Sequence, residues 1–146
     1  MSEFPFQLRQ IASVLFACVL AACSGPSEER SAEKDLKAAL DRLRDSTHGD
    51  PSMRRVHLQA VGQIQAKTAI ARDAQDACMS AYTSLFDAED AADRAEMQLR
   101  ISKAGYSRPS EEALRAVMDA DRLLQEAKAA MPACDAAAAK LAAAAR

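Results

Sequence analysis

Between Pro51 and Ala104 the chain has no further proline and one glycine, Gly62, and small residues recur there at every seventh position. Counted in sevens, one line runs His57, Ile64, Ala71, Cys78, Leu85, Ala92, Leu99. The line three residues on runs Ala60, Lys67, Ala74, Ala81, Ala88, Ala95. A sustained seven-residue repeat of apolar and small side chains specifies helices packed side by side, and alanine on the seam lets the two backbones approach closely. Alanine fills 34 of the 146 positions, while aromatic residues are 4% and tryptophan is absent. That composition excludes the alternating β-branched and aromatic patterns of sandwiches and barrels. It also lacks the stacking groups of a single-strand nucleic-acid binder, and a net charge of -2 removes the basic footprint. The expectation is all-α.

The remaining punctuation divides the chain. Ser31 starts a shorter helix over about 31–45, with Leu36, Leu40 and Leu43 at helical spacing. Ser46-Thr47-His48-Gly49 is a break, and Asp50-Pro51 is an N-cap followed by proline at the first helical position. A middle helix over about 51–104 ends at Gly105, and Pro109-Ser110-Glu111-Glu112 opens a third over about 109–145, kinked at Pro132. The third helix offers an apolar stripe of Leu114, Val117, Leu124, Ala127, Met131, Cys134, Ala138 and Leu141.

In an antiparallel hairpin, the residue numbers of facing positions add to a constant. A turn centred at Tyr106 sets that constant at 212, and Cys78 and Cys134 satisfy it. The two cysteines, each on its own stripe, are therefore expected to form a disulfide. The first turn pairs Leu36 with Ala60 and Leu40 with Val56. Two shapes remain open: an elongated rod built on one helix of about 80 Å, or a three-helix bundle with the middle helix bent near Gly62.

The N-terminus carries an address. Ile11–Ala22 is an uncharged run whose helical length of about 18 Å is too short for a bilayer core. Preceded by Arg9, it reads as the apolar region of a signal peptide. It ends in Leu20-Ala21-Ala22-Cys23, which resembles the lipobox of bacterial lipoproteins. The resemblance implies that residues 1–22 are removed and that Cys23 carries the lipid, detectable as palmitate. Gly25, Pro26 and Ser27, followed by Glu28, Glu29 and Arg30, read as a short flexible tether, so residues 23–30 are expected to join the lipid to a helical domain over 31–146. Ser24 after the cysteine implies onward transfer to the outer membrane of a Gram-negative cell, on its periplasmic face.

No catalytic set, metal site or cofactor loop emerges. His48 and His57 are the only histidines and the four glycines are scattered. Two surface features stand out as partner-binding candidates: Tyr106 at the hairpin tip, and an acidic cluster in which Asp87, Asp90 and Asp93 are prominent. The same cluster, with Glu89 and Glu96, also reads as a solvated face balanced by Arg94, Arg100, Arg115 and Arg122. The functional expectation is an envelope adaptor or accessory subunit that binds another envelope protein, for instance in a secretion or conjugation apparatus. An inhibitor or immunity lipoprotein acting on a cell-wall hydrolase is the alternative, favoured by the acidic cluster.

Overall fold

The computed structural model describes residues 26–105 and 109–146. It is all-helical there: α1 Pro26–Asp45, a single 3-10 turn Ser46–His48, α2 Pro51–Gln63, α3 Ala69–Gly105 and α4 Glu111–Ala144. The lipobox, Cys23 and Tyr106 lie outside the described residues.

The helix α1 starts earlier than Ser31. Proline suits the first helical position because it has no N–H to leave unsatisfied, and Glu28 and Glu29 in the first turn favour the dipole. Lys67 then holds Glu28 at 3.0 Å. Residues 26–30, expected to be tether, are therefore helix. Three leucines on one face, Leu36, Leu40 and Leu43, are buried as their spacing requires.

The expected middle helix is two helices. Asp50 caps α2 as its position predicts, accepting from the Ser52 N–H at 2.9 Å. After Gln63 the chain turns extended at Ile64 (φ -74°, ψ 128°). Thr68 then restarts it, its hydroxyl accepting the Ala71 N–H at 3.2 Å and donating to the buried Glu33 carboxylate at 2.7 Å. The Gln75 amide donates to the Val61 and Ile64 carbonyls, satisfying the orphan acceptors at the end of α2. The break follows Gly62 directly, and α2 folds back antiparallel on α3. With the break, the heptad phase is lost: α2 buries Leu58 and Val61, while Ala60 and Val56 face solvent. The expected pairing of Leu36 and Leu40 with those two residues is replaced by packing of α1 on this new face and on α4.

Among the described elements, the hairpin α3–α4 is the most extensive helix contact. Its register is the expected one, with Cys78 and Cys134 opposite each other. Ser110 caps α4 by accepting the Ala113 N–H at 3.1 Å, and α4 runs through Pro132 as one helix. The seam on α4 is Ala113, Ala127, Cys134 and Leu141, with Ala116, Ala120, Leu123 and Ala130 half-buried between them. Leu114, Val117 and Leu124, expected on that seam, are 53%, 40% and 38% exposed. Alanine took the seam because a close backbone approach leaves no room for leucine. On α3 the seam holds Ala74, Cys78, Ala81, Ala88 and Ala95, with Ala91 in place of Ala92.

These helices make two unlike regions. In the base, α1 and α2 lie against the first half of α3 and the second half of α4, around Leu36, Leu43, Val61, Tyr82, Phe86 and Leu141. Beyond Asp90 the only buried residues described in α3 are Ala91 and Ala95, and before Ala127 the only one in α4 is Ala113. Among the described residues, α3 and α4 continue there alone as an arm.

Candidate functional site

The cysteine pair sits in the base. The sulfurs are 2.10 Å apart, the Cα atoms 4.4 Å apart, and each residue is about 1% exposed. This is a structural staple shielded from solvent reductants.

The acidic cluster lies where the base gives way to the arm, and most of it is occupied. Arg55 of α2 reaches across to both Asp87 and Asp90. The hydrogen bond to Asp90, followed by that to Asp87, holds the Arg55 guanidinium above its usual range. Beside it, Arg54 binds Glu89 and also donates to the Gly49 carbonyl at 2.9 Å and 3.0 Å, so one guanidinium ties the α1–α2 connection to α3. Asp50 is held below the usual carboxylate range by the Ser52 backbone and hydroxyl donors. Asp87 and Asp90 are thus internal fasteners. Asp93, one turn further, has no ion-pair partner among the described residues. Tyr82 is buried, with its ring 6.0 Å from that of Phe86.

Sequence spacing could not reveal the roles of Arg54 and Arg55. Their partners lie more than thirty residues away and meet them only once α2 has folded back. Gln75 and Glu33 were invisible for the same reason.

The arm carries more exposed large apolar side chains than the base, where Met53, Val56 and Ile70 are exposed. Met97, Ile101, Leu114, Val117, Met118 and Leu124 account for most of the large hydrophobic residues exposed in the described chain. They fall on two sides of the hairpin. Met97 lines a shallow groove of about 300 Å³ whose other walls include Arg94, Glu112, Arg115 and Asp119. The other side carries Leu114, Val117 and Leu124 on α4, with Leu99 half-buried beside them on α3. Charges along the arm pair locally, Arg100 with Glu96, Arg115 with Glu111, and Arg122 with Asp119 and Glu126. Such exposed pairs are worth about 0–1 kcal/mol each and fix no partner.

His48 is exposed in the 3-10 turn and His57 is half-buried on α2. Among the described residues, no group of His, Cys, Asp and Glu is placed to hold a metal ion, and no helix is long and apolar enough to cross a membrane. No family model, curated protein or solved structure matches the chain.

Proposed function

We propose that this chain is a lipid-anchored envelope protein that holds a two-helix arm out to another envelope protein, as an adaptor or accessory subunit of a larger assembly. The observation that carries this reading is the arm itself. The two sides of this hairpin expose six of the nine large apolar side chains that face solvent in the described chain, and exposed apolar surface gathered in one region marks protein contacts.

The proposed anchor fits the direction of the arm. A lipid at Cys23 would join the chain three residues before Pro26, and Glu28 in the first turn of α1 pairs with Lys67 just ahead of α3. The tethered end is thus the base, and α3, with 37 residues, carries the arm about 55 Å away from it. A buried disulfide suits an oxidising, extracytoplasmic compartment. The acidic cluster no longer favours an inhibitor of a basic hydrolase, because Arg54 and Arg55 already take up Asp87, Glu89 and Asp90.

The test has two parts in the cells that make the protein. Cys23→Ser should abolish fatty-acid labelling, and unchanged labelling would remove the anchor. Met97→Lys, Leu114→Lys and Met118→Lys together should strip the full chain of its envelope crosslinks while leaving the helical circular dichroism intact. An unaltered crosslink pattern would remove the arm from the account.

A further inference from the structure

We infer that the face of the arm bearing Leu114, Val117 and Leu124 is a cradle for one amphipathic helix of the partner protein, with a basic residue set against Asp121. The inference rests on the adaptor reading above and names the face and the chemistry of what binds there.

The seam of α4 repeats in sevens through Ala113, Ala120, Ala127, Cys134 and Leu141, so residues a multiple of seven apart hold the same position relative to α3. In the base, α1 lies along one side of that seam. The cleft between them is lined on α4 by Asp135, Ala138, Leu141 and Ala142, and Arg44 of α1 reaches Asp135 at 3.2 Å. Two heptads toward the arm, Asp121 repeats the position of Asp135 and Leu124 that of Ala138. One heptad further, Val117 repeats Leu124 and Leu114 repeats Asp121. The bare face is thus the direct continuation of a face on which this chain already seats an amphipathic helix. Along it small residues give way to large apolar ones just where α1 has ended. On α3, Leu99 lies two heptads beyond Leu85 and is half-buried as Leu85 is.

The charges specify the occupant further. Asp135 is answered by Arg44, whereas Asp121 has no ion-pair partner among the described residues. Lys128, one heptad nearer the base on the same line, is also exposed and without an ion-pair partner there. A helix that fits would carry apolar residues at the spacing of Leu36, Leu40 and Leu43. It would set a Lys or Arg against Asp121 and an Asp or Glu against Lys128. This is recognition of a helix in a groove, with apolar anchors supplying affinity and rim charges supplying register. Met97 and Ile101 lie on the other side of the hairpin and take no part.

A photo-crosslinking residue placed at Val117 or Leu124 of the full chain, activated in the cells that make it, tests this directly. The expected adduct is a segment of a different protein with the apolar spacing and flanking charges just described. Asp121→Lys should lower its yield by about fivefold, the scale of one exposed ion pair. An adduct to a second copy of this chain, to its own N-terminal segment, or to a segment without that pattern overturns the proposal. Adducts from position 97 but not from 117 or 124 overturn the face and leave the adaptor reading standing. No adduct from any of the three positions overturns both.

Discussion

The base and the arm are built on one pair of helices and one alanine seam, yet they differ in what flanks that seam. In the base, α1 and α2 lie over α3 and α4 and bury Leu36, Leu43, Val61 and Leu141 completely. In the arm the seam is still buried, at Ala91, Ala95 and Ala113, but the leucines and methionines beside it face water. An alanine seam buries little area, and apolar stabilisation scales with area at about 25 cal/mol per Å². The seam therefore sets the register, while the flanking helices supply most of the stability.

The disulfide gives the largest expected effect on this comparison. It closes a loop with a sequence separation of 56 that contains the whole arm, and the chain-entropy model assigns such a loop about 4 kcal/mol. Cys78→Ala with Cys134→Ala should lower the urea midpoint accordingly while leaving helix content at low denaturant unchanged. An unshifted midpoint would mean that the base holds the hairpin register unaided.

Next in size is the contrast between two leucines. Leu43→Ala, at a fully buried position, should cost about 2–5 kcal/mol in chemical unfolding. Leu114→Ala, more than half exposed, should stay within about 0.5 kcal/mol. Equal costs at the two sites would erase the distinction between the regions. Smaller again is the arm's own cap: Ser110→Ala removes the acceptor for the Ala113 N–H and should cost about 1 kcal/mol. Faster hydrogen exchange should follow at the start of α4, with the base unaffected.

The mildest prediction concerns pH. Asp50 is held below the ordinary carboxylate range by the Ser52 donors, so its ionised form favours the folded state. That contribution is complete above the unfolded value of about 3.9 and is lost as the pH falls through the lower folded value. Acidification through this window should loosen the first turn of α2 before the rest of the base. Asp50→Asn should remove the pH dependence, and a first turn that stays protected in the wild type would rule out the cap as its source.

Much of this architecture was legible in the sequence because it rests on local or periodic signals. Asp50-Pro51, Gly105 and Ser110 mark helix ends through backbone chemistry that needs no tertiary partner. The cysteine register followed from a turn position and a constant index sum. What stayed hidden depends on the fold-back at residues 64–68. Gly62 signalled a bend, but the extended Ile64 and the caps supplied by Gln75 and Thr68 are tertiary. Leu114, Val117 and Leu124 were read as core because they are large and helically spaced; the structure gives the seam to their alanine neighbours. The acidic cluster was legible as charge, but not as the counterpart of Arg54 and Arg55. Tyr106 and Cys23, candidates for recognition and lipidation, lie outside the described residues.

Native-state hydrogen exchange along α3 and α4 tests the division into base and arm most directly. Protection should drop in a step within each helix. Amides from Ala71 to Phe86 and from Ala127 to Leu141 should exchange only with global unfolding. Those at 93–105 and 112–122 should exchange through local opening at lower free energy. Uniform protection along both helices, or slower exchange in the arm than in the base, would contradict it.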